Sequence, residues 1–540
     1  MNSAHQQQLR CGCGCRRAIV RLAVGLAGVL LTACTLGPNF SRPDAKLPAH
    51  WPAGALQVPA QAAAAPAAAA ANTTEGSLPA LSAVTEQPAE LARWWTRFND
   101  AELDSLVERA LRGNLDLRAA VLRSQEALAQ RDINAAGLWP TLTANASYDH
   151  ERISETTPQG VIIGNIGHVV IPGVGRVSIP NPYNQMQLGA TASWEVDLFG
   201  RVRRTVEAAN ASAQVSLEDQ RAMQVSLLAQ VAQSYLELRG AQARRAVALE
   251  DIATLADLLQ LTTQRQQSGL TTELDVRNAA AQLSQTRSTV PVIEQQIAQA
   301  IHQLSILLGA EPESLRSELE ASGLIPPIPP EVPIGLPAEL ARRRPDIRES
   351  EANLHAATAQ IGVSIANLFP RLALSASGGF QSASPGNLLY WNSLFYSMGP
   401  ALDIPIFDRG RWRTVTLYRL RAKEAALTYQ STVLNALHEV EDAATALSAD
   451  QQQRRYLTDT VEQNREAVTL AKQRYESGVS DFLNVLDAER ALQSNQLSLL
   501  ASTSAASSDL VSLYRALGGG WSEVSAAAPA ESSPSDTPGR

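Results

Sequence analysis

The chain has 540 residues, with 45 Lys and Arg against 53 Asp and Glu and a formal charge of −8. Hydrophobic residues make up 45% but aromatics only 5%, an Ala/Leu/Gln-rich balance that favours helices because these side chains lose little rotamer freedom there. The acidic charge excludes the basic face of a nucleic-acid binder. All four cysteines, Cys11, Cys13, Cys15 and Cys34, precede residue 35, so nothing later can form a disulfide, a thiolate metal site or a cysteine nucleophile.

Residues 1–33 hold no acid and four arginines, Arg10, Arg16, Arg17 and Arg21. An apolar stretch follows from Leu22 to Ala33, shorter than the roughly 20 residues that span a bilayer. This reads as a secretory signal, and the three-cysteine run as part of the discarded leader. It ends in Leu31-Thr32-Ala33-Cys34, a bacterial lipobox in form, which makes Cys34 the expected lipidated N-terminus. Thr35, in place of an inner-membrane-retention Asp, favours the outer membrane. Removing 33 residues and four arginines leaves 507 residues and a charge of −12. Acyl chains tether a protein without spanning the bilayer, so any pore must come from elsewhere in the chain.

Residues 34–90 read as a lipidated extension and an Ala/Pro-rich linker. Six prolines between Pro326 and Pro337 mark a second linker at 326–337, and 521–540 a disordered Ser/Pro/Ala tail. The segments between these breakers, 91–325 and 338–520, repeat each other. Asp116-Leu117-Arg118 matches Asp346-Ile347-Arg348, and Leu138-Trp139-Pro140 matches Leu368-Phe369-Pro370, both at an offset of 230. Val231 matches Val440, Ser268-Gly269 matches Ser477-Gly478, and Leu308-Gly309 matches Leu517-Gly518, all at 209. One duplication with one net length change, placed between Pro140 and Arg201, accounts for both offsets.

Each copy carries period-two alternation, the strand signal. Leu142, Ala144, Ala146 and Tyr148 alternate with Thr143, Asn145, Ser147 and Asp149; Leu188, Ala190, Ala192, Trp194, Val196 and Leu198 follow after a loop. Leu372, Leu374 and Phe380, then Met398, Leu402, Ile404 and Ile406, repeat it more weakly. The strand hairpins are expected at about 141–198 and 371–407. An apolar face opposite a polar one suits a lipid-facing barrel with a wet interior, although a half-buried soluble sheet has the same pattern. Four strands cannot enclose a lumen, and open edges are not tolerated in lipid. Membrane strands would therefore require several chains to share one barrel, with crosslinks in the Gln187–Leu198 strand as the expected report.

The helices are long. No proline interrupts Arg201 to Val290 or Ile406 to Ala528. Arg201 to Ser268 alone, at about 1.5 Å per residue, spans on the order of 100 Å. Helical hairpins are expected at about 201–308 and 409–517, turning at Gly269 and Gly478, since glycine takes the left-handed conformation that ends a helix.

The chain resembles the TolC-like outer membrane factors, specifically the lipidated OprM/NodT-type channels of tripartite RND efflux systems. The resemblance rests on Cys34-Thr35-Leu36-Gly37-Pro38-Asn39-Phe40, Trp94-Trp95 with Phe98 and Asp100, and Leu115-Asp116-Leu117. It continues through Trp194-Glu195-Val196-Asp197-Leu198-Phe199-Gly200-Arg201 and Arg343-Arg344-Pro345-Asp346-Ile347. Pro405-Ile406-Phe407 with Gly410, Tyr475-Glu476-Ser477-Gly478 and Leu486-Asp487-Ala488 complete it, so that about residues 34–520 are covered.

The resemblance implies an α+β membrane protein. It would be a homotrimer in which each chain gives four strands to a shared 12-stranded barrel, followed by a long α-helical periplasmic barrel. It implies a passive duct in the cell outer membrane, lipid-anchored as well as inserted, whose partners are a periplasmic adaptor and an inner-membrane RND pump. At the closed tip it matches Asp487 to a pore-narrowing acid and puts Asn484 where relatives have a second. It pairs Asp275 with Tyr475 as a gate contact and puts Ser480 where a partner arginine is usual. Type I secretion or metal-ion efflux ducts remain alternatives, as does a structural periplasmic coiled-coil lipoprotein. Arg342-Arg343-Arg344 reads as the lead into a helix starting at Pro345 and Asp346, or as a basic patch. The seven histidines are scattered, and no HExxH, nucleotide loop or nucleophile elbow occurs, so no enzymatic activity, cofactor or metal is expected.

Overall fold

The computed structural model describes residues 35–44, 47–51, 82–87, 90–158, 160–162, 170–171, 175–176, 180–321 and 323–522. The leader and Cys34, most of the Ala/Pro-rich linker and the tail beyond 522 lie outside them. In chain order the elements are β1 (Ala83–Thr85), α1 (Ala101–Gly113), α2 (Leu115–Ala136), β2 (Thr141–Glu151), β3 (Val170–Ile171), β4 (Gly175–Arg176) and β5 (Tyr183–Val196). Then come α3 (Arg201–Gln267), α4 (Glu273–Leu308), α5 (Arg316–Leu319), β6 (Glu331–Pro333), α6 (Pro337–Arg343), α7 (Pro345–Ala366), β7 (Arg371–Ser382), β8 (Leu394–Asp403), α8 (Arg409–Glu476) and α9 (Phe482–Ala516). They divide into two compact units. One takes residues up to Ser41, Ala127–Ala213 and Asn353–Ala425; the other takes Arg42–Glu126, Gln214–Ala352 and the chain from Ala426.

The first unit is organised by a four-stranded antiparallel meander in the order β2-β5-β7-β8, so the hairpins of the two copies pair directly through β5 and β7. The register carries the alternation across all four strands. Leu142 opposes Ala192, Ala192 opposes Ala376, and Ala376 opposes Met398; Leu188 opposes Phe380, which opposes Leu394. Because strand side chains alternate between faces, Leu142, Tyr148, Leu188, Trp194, Leu374, Tyr396, Met398 and Leu402 share one apolar face. Thr143, Asn145, Gln187, Thr191, Ser375 and Ser377 share the other. The apolar face is bare in the single chain: Leu142 and Met398 are each 76% exposed.

The ladder stops before the alternation does, at Val196 and Asp403 rather than Leu198 and Ile406. The side chains that follow are committed elsewhere. Arg201 makes a two-point pair with Glu195 at 2.7 and 2.6 Å, and the Asp197 carboxylate accepts the Arg203 backbone N–H at 2.9 Å. The Asp197 bond caps the start of α3, whose first N–H groups lack helical partners, and the two contacts together account for the acids and the arginine of the Trp-Glu-Val-Asp-Leu-Phe-Gly-Arg stretch. Gly200, at φ +78°, packs against Thr35. The buried Arg204 holds the same N-terminal segment, donating to the Leu36 carbonyl at 3.2 Å and to Asn39 Oδ1 at 2.6 Å.

The core of the second unit explains the Trp94-Trp95-x-x-Phe98-x-Asp100 stretch. Trp94, Trp95 and Phe98 are buried, and Trp94 stacks on Tyr514 at 5.2 Å. Asp100 caps α1 by accepting the Glu102 and Leu103 N–H groups, while its second oxygen accepts the Tyr235 hydroxyl at 2.8 Å. Arg344 is buried, not part of a basic patch. It forks onto Asp346 at 3.0 and 2.6 Å, pairs with Glu439 at 2.7 Å and donates to the Ala516 carbonyl at the end of α9. The Arg221 and Arg348 guanidiniums each lie over the Trp521 ring, at 4.5 and 5.1 Å, and both bind the buried Glu218.

Candidate functional site

The resemblance puts the expected gate residues around the turns from α3 into α4 and from α8 into α9, and both turns have the same backbone. Gly269 (φ +72°) and Gly478 (φ +74°) take the left-handed conformation. Leu270 N–H reaches back to the Arg265 carbonyl and Val479 N–H to the Arg474 carbonyl, each at 2.9 Å. This long backward bond is the one that closes a glycine-terminated helix. Apart from each glycine and its two chain neighbours, no atom of the described residues lies within 4 Å of where a Cβ would stand, so within the chain it is backbone conformation that selects the residue.

The side chains around the two turns differ. In the first, Thr272 and Asp275 form a capping box. The Asp275 carboxylate accepts the Thr272 N–H at 3.1 Å, the Thr272 hydroxyl at 2.8 Å and the Thr271 hydroxyl at 2.5 Å. Partial burial pushes the Asp275 pKa up, but these threonine bonds outweigh it and hold the carboxyl below its ordinary value. In the second turn Asp481, at the equivalent cap position of α9, makes no side-chain capping bond. Asn484 instead donates to the Ser480 hydroxyl at 2.8 Å.

The expected Asp275–Tyr475 hydrogen bond is not made in the chain. Asp275 bonds within its own turn, and the Tyr475 hydroxyl, though buried, has no hydrogen-bond partner among the described residues. What does join the hairpins at this level is an apolar cluster with polar bonds beside it, among them Arg490 Nε to Gln282 Oε1 at 2.9 Å. Leu255, Leu258, Ala279 and Leu283 from α3 and α4 pack with Tyr475, Phe482, Val485 and Leu486 from α8 and α9. Tyr475 meets the Phe482 ring edge-on at 5.6 Å. Arg265, which the sequence reading passed over, spreads its guanidinium over the other aromatic partner, 4.7 Å from the centre of the Tyr475 ring. The spacing carried a hint: a tyrosine buried three residues before the turn has a ring face to fill as well as a hydroxyl.

Asp487 stands apart from this cluster. Its side chain is 64% exposed, with Arg490 at 4.0 Å. Deeper along the hairpins, Lys472 pairs with Glu489 at 2.9 Å. Beside them, burial together with Glu489 and Glu250 pushes the Asp251 carboxyl up to about 6 against the bond from Gln493. No grouping of His, Cys, Asp or Glu suited to a metal occurs among the described residues.

The duplicated hairpins, the meander and the paired glycine turns coincide with a family-wide match. Residues 106–310 and 336–519 fit the model of the outer membrane efflux protein family. The chain belongs to that family. This outer membrane efflux protein is 33% identical over 500 residues to outer membrane protein OprJ of Pseudomonas aeruginosa, covering 92% of this chain and 95% of that one. It is 31% identical over 506 residues to the toluene efflux pump outer membrane protein TtgC of Pseudomonas putida, covering 93% and 96%. The solved outer-membrane channel OprN superposes with a TM-score of 0.77 at 34% identity, covering 90% of this chain and all of that one. The TolC-like fold and the outer-membrane efflux function follow, and the coiled-coil lipoprotein reading falls, since it has no use for the meander.

Proposed function

We propose that this efflux protein is a passive homotrimeric duct, its twelve-stranded barrel closed by four strands from each of three chains. A periplasmic adaptor and an inner-membrane RND pump would feed it small apolar or amphiphilic solutes. The observation that carries the reading is the meander itself. Within the sheet, β5 and β7 are flanked on both sides, whereas β2 and β8 each present an unpaired edge. In lipid such edges must be paired, and a sheet of four strands is too small to close on itself around a lumen. Joining β2 of one copy to β8 of the next satisfies both edges and turns the shared apolar face outward. The subunit contact therefore falls on Thr141–Glu151 and Leu394–Asp403, not on the internal strand that includes Gln187.

Cysteine pairs scanned along residues 143–149 and 395–401 test this directly, against a background where Cys34 is the only cysteine left once the leader is removed. Oxidation is expected to yield dimers and trimers and no larger species; a ladder beyond three, or a conducting monomer, refutes the stoichiometry. Cys34 is the proposed lipid anchor, supported by the lipobox and read out by the intact mass of the purified protein. At the tip, three exposed Asp487 carboxylates would gather about one axis, where like charges repel and attract cations. Asp487→Ala is expected to weaken block by divalent cations in planar bilayers; unchanged block removes Asp487 from the pore.

A further inference from the structure

If the channel reading holds, its closed tip needs a fastening, and within the chain the one in place is not an Asp275–Tyr475 hydrogen bond but a contact of Arg265 with the Tyr475 ring. Arg265 lies in the last turn of α3, at the tip of the first-copy hairpin. Its guanidinium covers the face of Tyr475 in the second-copy hairpin at 4.7 Å, within the range of a cation–π contact. The same guanidinium donates through Nη1 to the Glu476 carbonyl at 3.1 Å. Glu476 ends α8, where the last carbonyls lack helical partners and carry the negative end of the helix dipole. Arg265 Nε is buried and makes no hydrogen bond among the described residues, consistent with a guanidinium laid flat on a ring. The Tyr475 ring also meets Phe482 edge-on at 5.6 Å.

We propose that Arg265 is the positioning residue of the gate, holding the two hairpin tips of one protomer together in the closed state, and that Tyr475 contributes its ring, not its hydroxyl. One side chain makes both contacts, so separating the tips breaks them together, and closure is lost in a step rather than by degrees.

The test is single-channel conductance of the purified trimer in planar bilayers, with heat-resistant trimer migration as the stability control. Arg265→Ala is expected to raise conductance severalfold with trimer migration unchanged. Arg265→Lys keeps the charge but loses the flat stacking surface, and falls between. Tyr475→Leu opens the channel as Arg265→Ala does, whereas Tyr475→Phe conducts like the wild type. Should Arg265→Ala fail to trimerise, Arg265→Gln carries the same expectation. Wild-type conductance from trimeric Arg265→Ala or Arg265→Gln overturns the proposal. So does a Tyr475→Phe that opens as far as Tyr475→Leu, since that assigns closure to the hydroxyl. A wild-type protein giving no unit currents at any voltage overturns the channel reading itself, and the proposal with it.

Discussion

The two helical turns descend from one ancestor and keep one backbone, yet they are held in different ways. At Gly269 the polar groups are satisfied locally: Thr271, Thr272 and Asp275 form a closed set within one turn. The nearby apolar side chains Leu270 and Leu274 face outward, 66% and 67% exposed. At Gly478 the local set is thin, and Tyr475, Phe482, Val485 and Leu486 are buried against α3 and α4. The first turn is thus self-sufficient, and the second depends on its neighbour. Duplication preserves what the backbone demands, a glycine at φ near +70°, and leaves the side chains free to divide the work of stability and of contact.

The sharpest way to break this comparison is to truncate one buried and one exposed residue. Phe482→Ala removes a ring that is 2% exposed and should cost about 3–5 kcal/mol of local stability. It is expected to appear as faster amide exchange through residues 475–486. Leu274→Ala at the first turn should leave exchange there unchanged, and equal responses would erase the distinction. The backbone half of the comparison predicts symmetry instead. Gly269→Ala and Gly478→Ala each place a side chain at positive φ, costing about 1–2 kcal/mol, with no steric addition because the space beside both glycines is open. Thermal unfolding should shift by the same amount in both; a marked difference would mean that packing, too, constrains one glycine.

The smallest expected effect is a pH dependence where the two hairpins pack against each other. Asp251, on α3 beside Glu250 and facing Glu489 and Gln493, has its carboxyl raised to about 6 by burial first and then by the two acids. A raised acid binds its proton more tightly folded than unfolded. Its stabilising contribution is therefore whole below the ordinary aspartate value of about 4 and is lost as pH rises towards 6. Exchange protection of α3 around Leu255 should fall between pH 4 and about 6 and level off above. Asp251→Asn should abolish that drift. The group is partly exposed, so solvent screening keeps the effect below that of the glycine substitutions.

Much of the molecule could be read from the chain because it depends on local rules. Period-two alternation marked all four long strands, since a strand half in lipid or half buried must sort its faces residue by residue. The proline-free stretches marked α3, α8 and α9, while α4 runs on through Pro291, and the glycines marked the turns between them. The duplication was legible from constant offsets, which need no structure at all. The strand ends were less so: Leu198, Ile404 and Ile406 continue the apolar rhythm past the ladder, and Asp197 and Arg203 stop the first of those runs by capping a helix.

What the sequence alone determined was therefore the architecture: two copies, each a strand hairpin and a helical hairpin, with too few strands to form a barrel unaided. What only the tertiary structure decided was pairing. It joined β5 to β7 and left β2 and β8 as the edges. It turned Arg344 inward, gave Asp275 to its own turn, and brought Arg265 to Tyr475 across 210 positions of chain. The reason is physical. Periodicity and propensity act over a turn or a strand, whereas the partner of a carboxylate, a guanidinium or an aromatic face is whichever group packing brings within a few ångströms, and no local pattern records that choice.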